Sequence, residues 1–446
     1  MRERRRARLK LSPKITLCVE EIPTSYTAAL GFFIACGARH ESKKLSGVTH
    51  LCEHLFFKKT STRNAVEISR QSERMGGELN AYTDREMTSF HADCPVEQFS
   101  EMFQIVLEML LDPHFDAKDF DSERDVVAQE IVAYEDNPED IFNDLTLEVP
   151  WDGHPLGLRI GGTSKDVRAL ELDSTYRYLE EVFLPSPWVI SVVSPLSIRE
   201  VKNIITQQLQ AAKSLRFAKT LQKLKKPEAR GATPRLKRPW AKRSLAHTLE
   251  SEQVQVSFAY PGLHAKHRDE VQLAALGSIM GVGASSFLYR ELREKAGLVY
   301  HCSANHQAFT DAGLLMGQWS CGPETYEEAA FRASEICAKL SKGVAQSDID
   351  YMKECLTGAT KMSFDGLRGR MDSMGRQEII LGRSYDLSQT LDEVKKIRKG
   401  GVDRYARTLR EMPSLLMVGP LGKREMKRLE KAWLAGQSEG LRASKD

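Results

Sequence analysis

The stretch "VVSPLSIREVKNI" at residues 192–204 recurs near the far end of the chain as "MVGPLGKREMKRL" at residues 417–429. Both carry V-x-P-L-x-x-R-E-x-K in register: an apolar run, a proline turn, then the charged opening of a helix. Working outward, "TAALGFFIACGARHE" (27–41) resembles "EQVQVSFAYPGLHAKHRDE" (252–270), each an alternating strand that ends in a polar turn. The helical pattern "VEQFSEMFQIVLEMLLDP" (96–113) has a counterpart in "ETYEEAAFRASEICAKL" (324–340). Self-similarity on this scale predicts an α+β chain of two homologous α/β sandwich domains related by internal duplication. Each would be a mixed or antiparallel sheet with helices packed on it. The boundaries it suggests are 1–212 and 249–446, joined by a basic linker at 213–248.

The 446 residues exceed one ordinary core and suit two or three domains. With 41% hydrophobic and 28% charged residues and a net charge of +3, the composition is that of a globular protein in water, and nothing overall demands a nucleic-acid partner. No apolar run approaches the roughly 18 residues of a membrane span, so no membrane partner is expected. The opening "MRERRRARLKLSPKITLCVEE" is basic but lacks the apolar core of a secretory signal. Strand-like sequence begins at about residue 14, which leaves little for a transit peptide. Eight cysteines without a C-x-x-C pair read as reduced thiols. The expected location is cytoplasmic, with an organellar matrix as the lesser alternative. The linker alone departs from charge balance, since residues 213–243 hold twelve Lys/Arg against one acid, Glu228. A solvated, self-repelling spacer is the simplest reading. A patch for an acidic peptide, RNA or a membrane surface is the competing one.

Histidine is scarce, 11 in the chain, yet His50 and His54 sit four apart in "SGVTHLCEHLFFKKT" (46–60) with Glu53 between them. On a helix the two imidazoles project from one face, one turn apart, so both nitrogens can reach one Zn²⁺ at roughly 2.0–2.1 Å. Glu53 lies beside that face, placed to act as general base on a water activated there. Cys52 points away and reads as a buried thiol. Satisfied core histidines are the competing reading, and a third ligand decides between them. "FDSERDVVAQEIVAYEDNPED" (120–140) reads as a helix with Glu123 and Glu130 two turns apart on one face, beside a stripe of Val126, Val127, Ile131 and Val132. One carboxylate could bind zinc while the other orients a histidine.

The order H-x-x-E-H, then "GGELNAYTDREMTSFHADCP", then "ERDVVAQEI", resembles the pitrilysin, insulysin and mitochondrial processing peptidase family of inverzincin zinc metallopeptidases, in its short, two-domain form. In that family a glutamate follows the last histidine by about 76 residues, and Glu130 follows His54 by that number. The resemblance implies His50, His54 and Glu130 as ligands of one Zn²⁺ per chain, Glu53 as base and Glu123 as a supporting catalytic residue. It spans nearly the whole chain. "LGSIMGVGASSFLYRELREKAGLVYHCSA" resembles the family's Gly-rich turn and L-R-E-x-x-G-L-x-Y, which implies Arg293 and Tyr300 as substrate contacts. Both can hydrogen-bond a peptide carbonyl or an oxyanion. A salt bridge from Arg293 to Glu291 or Glu294 is the alternative reading. His264 and His267 read as a polar loop.

Residues 80–83 read as an edge strand, ahead of a turn at Asp84 and Arg85. Such a strand offers free backbone groups to an extended peptide, and the resemblance implies strand addition near Asn80 and Ala81. The expected activity is zinc-dependent endopeptidase cleavage of unfolded peptides in an enclosed chamber, formed by a homodimer. A non-catalytic scaffold member of the family, or an anion- or RNA-binding protein working through the linker, would be the alternatives.

Overall fold

The computed structural model describes residues 5–222 and 242–442. The middle of the basic linker, 223–241, lies outside them. Eleven strands are formed among the described residues. In the first sheet they are β1 (Arg5–Lys10), β2 (Ile15–Glu21), β3 (Thr27–Ile34), β4 (Glu78–Thr83), β5 (Thr88–Pro95) and β6 (Trp188–Ser194). In the second they are β7 (Ser244–Thr248), β8 (Val254–Pro261), β9 (Val299–Ala308), β10 (Gly313–Cys321) and β11 (Ser414–Gly419). The helices that matter below are α1 (Val48–Phe56), α2 (Phe99–Leu111), α3 (Ala117–Asp136), α4 (Pro138–Glu148), α5 (Ile198–Ala211), α6 (Glu270–Gly281), α7 (Tyr326–Leu340), α8 (Leu367–Leu381) and α9 (Lys423–Arg442).

The strand orders are β1-β2-β6-β3-β5-β4 and β7-β11-β8-β10-β9. Without β1, the first order maps onto the second strand for strand, and in each sheet one parallel pair, β2/β6 or β7/β11, sits among antiparallel ones. Both sheets are therefore mixed, and the duplication extends to their topology. The repeated R-E of the opening motif has a local cause. Glu200 reaches back to the Ser197 N–H at 2.8 Å and Glu425 to the Gly422 N–H at 3.1 Å, so each closes the first turn of α5 or α9.

The compact units are not the two halves of the chain. The first takes in residues up to Ala133, the stretch from Leu158 and, from the far half, Met362–Tyr385; the second contains Tyr134–Gly157 from the near half. Boundaries at 1–212 and 249–446 thus follow the duplication along the sequence, while the units exchange one helix each. Amphipathic periodicity marks α4 and α8 as helices but does not say which sheet each covers.

In the first unit, one sheet face packs on α1, α2, α3 and α5 through Phe32, Phe56, Phe90, Phe103 and Trp188. The other receives α8, whose Met371 and Met374 meet Phe33, Val189 and Val193. Covered on both faces, β2 and β6 are buried along their whole length. Two glycines permit the close approach of α8. A Cβ on Gly31 would fall 2.4 Å from Met371 Sδ, and one on Gly375 2.1 Å from the Phe33 ring. Ion pairs edge the contact: Arg370–Glu20 (2.5 Å) in the interior, Arg8–Glu378 (2.7 Å), Arg368–Asp93 (2.6 Å) and Arg376–Asp84 (2.9 Å). In the second unit, α4 lays Ile141, Phe142 and Leu145 on Leu416 and Val418 of β11.

The basic opening of the chain forms β1, an edge strand paired antiparallel to β2, and Arg6 reaches Glu20 at 3.1 Å. No helix among the described residues is long and apolar enough to cross a membrane.

Candidate metal centre

Helix α1 settles why three polar groups interrupt an apolar run. Val48, Leu51, Cys52, Leu55 and Phe56 turn into the core and are wholly buried. Their spacing leaves His50, Glu53 and His54 on the opposite face. Gly47 precedes the helix at φ +85°, and a Cβ there would lie 2.3 Å from the Gly161 carbonyl oxygen, so only glycine fits. Having no side chain, Gly47 cannot cap the helix. The buried Glu41 does so instead, accepting from Gly47 N–H at 2.7 Å and Thr49 N–H at 2.8 Å. Burial pushes the Glu41 carboxyl up to about 7, against the pull of those donors and of the Thr49 hydroxyl.

Donor atoms of His50, His54 and Glu130 lie within 4.8 Å of one another. The imidazoles stand edge to face with ring centres 4.8 Å apart. Helix α3 brings two glutamates to His54, one at each nitrogen: Glu123 Oε1 is 3.1 Å from Nδ1 and Glu130 Oε2 is 3.5 Å from Nε2. The two carboxylates, alike in the sequence, take different places in space. Glu130 shares the cluster with both rings, while buried Glu123 braces the far side of one ring. Lys58 pairs with Glu123 in turn. Although burial opposes it, bonding to His54 and Lys58 holds the Glu123 carboxyl below its usual range. Burial, with His54 nearby, depresses His50 to about 4, so its ring is neutral at pH 7 and able to ligate. His50 Nδ1 is buried and has no hydrogen-bond partner among the described residues. Two neutral-capable imidazoles and a carboxylate, one ring braced from behind, fit the His₂Glu set of a catalytic zinc site.

Glu53 is held from a different direction. Thr83, the last residue of β4, donates its hydroxyl to Glu53 Oε2 at 2.5 Å. Burial raises the Glu53 carboxyl and the Thr83 bond lowers it, with a net rise. Sequence reasoning passed over Thr83, Lys58 and Glu41. Threonine in a strand is ordinary, Lys58 acts only through Glu123, far off in sequence, and Glu41 caps α1 from outside the helix, six residues before Gly47. The apolar stripe expected on α3 is half present: Val127 and Ile131 are buried, but Val126 and Val132 lie on the solvent side. Cys52 is enclosed and burial drives its thiol well above the usual range.

Asn80 and Ala81 lie on β4, which among the described residues pairs only with β5 and so ends the sheet. Ala81 N–H is taken up by Asn80 Oδ1 at 2.8 Å. The end of the same strand is pinned to α8, as Tyr82 donates to Asp372 at 2.7 Å and Arg376 spans Tyr82 and Asp84 just beyond it.

Arg293 and Tyr300 belong to the second unit. Arg293 sits on an exposed helical turn with its guanidinium 5.1 Å from the Tyr289 ring centre. Glu291 bonds Arg290 and Lys295 instead. Tyr300, on edge strand β9, is 59% exposed. His264 and His267 lie in a loop as expected. Behind them His306 bonds Glu270 at 3.0 Å, and its other nitrogen accepts from Leu263 N–H, a closed structural set.

Residues 16–164 match the family described as "Insulinase (Peptidase family M16)" and residues 169–356 its companion, "Peptidase M16 inactive domain". The chain belongs to peptidase family M16. An uncharacterized zinc protease of Bacillus subtilis is 29% identical over 92% of this chain and 97% of its own length. Another, from Streptomyces coelicolor, is 28% identical over 95% and 92%. Among solved structures, a protease from Helicobacter pylori superposes with a TM-score of 0.82 at 18% identity, covering 93% of this chain and 99% of that one. A Pseudomonas fluorescens structure titled as a peptidase M16 inactive domain gives 0.80 at 17%, covering 93% and 98%. The fold is that of the two-domain members.

Proposed function

We propose that the protein is a zinc-dependent endopeptidase of the H-x-x-E-H type, holding one zinc per chain and cutting unfolded peptides or short polypeptides laid along the edge of its first sheet. The observation that carries this reading is the convergence of His50, His54 and Glu130, with Glu53 beside them and Glu123 behind. Zinc, when bound, supplies Lewis acidity that makes water a nucleophile near neutral pH and polarises a carbonyl.

Glu53 takes the proton of the attacking water and delivers it to the departing amine. Thr83 fixes the carboxylate for both transfers. Glu123 receives the Nδ1 proton of His54, which sets the tautomer and leaves Nε2 free to ligate. An arriving peptide pairs with β4 near Asn80 and Ala81, exchanging the local Asn80 bond for a strand ladder. Its main chain supplies affinity and its side chains modest selectivity. Arg293 and Tyr300, exposed and rich in donors, suit substrate carbonyls or the oxyanion. The short form of the fold is taken to work as a cytoplasmic homodimer that encloses its substrate. The linker is taken to be a spacer.

The test combines bound zinc with cleavage of a quenched fluorescent unfolded peptide. Wild type should carry one zinc and lose activity to a chelator. Glu53→Gln should keep the zinc and lose hydrolysis, while His50→Ala, His54→Ala and Glu130→Gln should lose both. A Glu53→Gln protein as active as wild type would end this reading. A zinc-loaded wild type that cuts no unfolded peptide would favour a scaffold.

A further inference from the structure

Away from the metal centre, the first unit holds a cleft of about 630 Å³ that the peptidase reading does not use. It opens between the β1–β2 turn, the later part of α5 and the end of α2. Its volume falls in the roughly 300–1,000 Å³ range of small-molecule sites. Leu11, Ile15, Leu111, Leu209 and Ala212 line its interior, an apolar wall drawn from three separate chain segments. Four lysines also line it, Lys10, Lys14, Lys202 and Lys213, and no acidic residue does among those described. Lys14 is itself 6% exposed, so one of the four cationic side chains is built into the fold. The others stand at the surface.

The lining excludes most occupants. The three surface lysines, Lys10, Lys202 and Lys213, with no acidic residue in the lining, disfavour a cation and favour an anion. A nucleotide or single-stranded RNA would need an aromatic platform, and the lining contains none. A peptide would bury several backbone amides against leucine and isoleucine with few partners, which is costly. Ser12 has its hydroxyl engaged by the N–H groups of Lys14 and Ile15. What remains is a ligand with one anionic head and a hydrocarbon body, since each methylene buried on the apolar wall stabilises the complex without asking for a hydrogen bond.

We propose that this lysine-rimmed cleft is a binding site for an acyl-chain carboxylate, with the chain against the Leu11–Ile15–Leu111–Leu209 wall and the carboxylate among the lysines. It does not depend on the metal centre.

Dansyl-labelled undecanoic acid is the probe, and decanoic acid, 1-decanol, acetate and inorganic phosphate are the competitors. The probe should bind wild type, chelator-treated wild type and Glu53→Gln alike, with blue-shifted emission. Decanoate should displace it at about tenfold lower concentration than 1-decanol, as a charge-assisted bond requires. Acetate and phosphate should fail at the same concentrations. In the double variant Lys202→Glu/Lys213→Glu, whose changes lie at the surface, probe affinity should drop about tenfold with the thermal midpoint unchanged. Lys14→Met should weaken it further. Three results would each overturn the proposal: no probe binding; equal competition by acid and alcohol or unchanged affinity in the double variant, which is adventitious apolar association only; and competition by phosphate as strong as by decanoate, which is a plain anion site.

Discussion

Replacing Thr83 by valine removes one hydroxyl and keeps the branched shape of a strand residue. The hydroxyl donates to Glu53 at 2.5 Å in a partly buried setting. A hydrogen bond to a charged group is worth about 1.5–3 kcal/mol. If half or more of that serves to aim the carboxylate at the reacting water, kcat falls by about 4- to 150-fold, since about 1.4 kcal/mol is tenfold. The three ligands are untouched, so bound zinc stays at the wild-type level. Backbone pairing along β4 is likewise untouched, so KM moves less than about twofold. Thr83→Ser restores the donor and should recover most of the rate. The assay is steady-state cleavage of the quenched peptide, with zinc measured on the same sample. A Thr83→Val enzyme with wild-type kcat would show that Glu53 needs no such anchor. One that lost zinc would show that Thr83 serves the fold of the site and not its base.

Separate inactive Glu53→Gln and Arg293→Ala proteins should regain activity on subunit exchange if Arg293 serves a neighbouring subunit, about half of randomly re-paired dimers being mixed; mixed dimers as inactive as both parents would place Arg293 within its own chain or outside catalysis. Arg370→Met leaves Glu20 buried with only Arg6 among its described ion pairs, so urea unfolding of the first unit should show a loss of about 3 kcal/mol, and an unchanged midpoint would contradict the ion-pair account of α8 docking. Glu41 is raised from 4.5 to about 7. It therefore binds its proton more tightly folded than unfolded, and its contribution is most favourable below about pH 4.5 and lost as pH climbs to about 7. Thermal midpoints should show wild type losing ground to Glu41→Gln across that interval, and a difference independent of pH would refute it.

How far the sequence foretells the molecule depends on the range of the physics involved. Helix α1 could be read because its two faces are written within nine residues. The paired sheets could be read because the duplication preserved alternating strands and the glutamates that cap α5 and α9. Helix α3 was visible, but its own residues left open the division of labour between Glu123 and Glu130, which only the family resemblance implied. That division is set by which imidazole nitrogen each meets, and so by packing between helices about seventy residues apart. The basic opening shows no partners in the sequence; Arg6 finds Glu20 on the paired strand β2, and Arg8 finds Glu378 from the far half of the chain. The exchange of α4 and α8 leaves no local trace, because an apolar stripe fits either sheet.

That exchange sets a clock on synthesis. The last strand of the first sheet is complete at Ser194, but the helix that covers Phe33, Val189 and Val193 ends at Leu381. At roughly 5–20 residues per second, the ribosome needs about 10–40 s to cross that interval. Throughout it the nascent chain shows an apolar sheet face with nothing to lay on it, while α4, already made, waits for strands not yet translated. A ribosome stalled in this window would hold a chain with two unmatched apolar faces, and there a chaperone would find the most to bind.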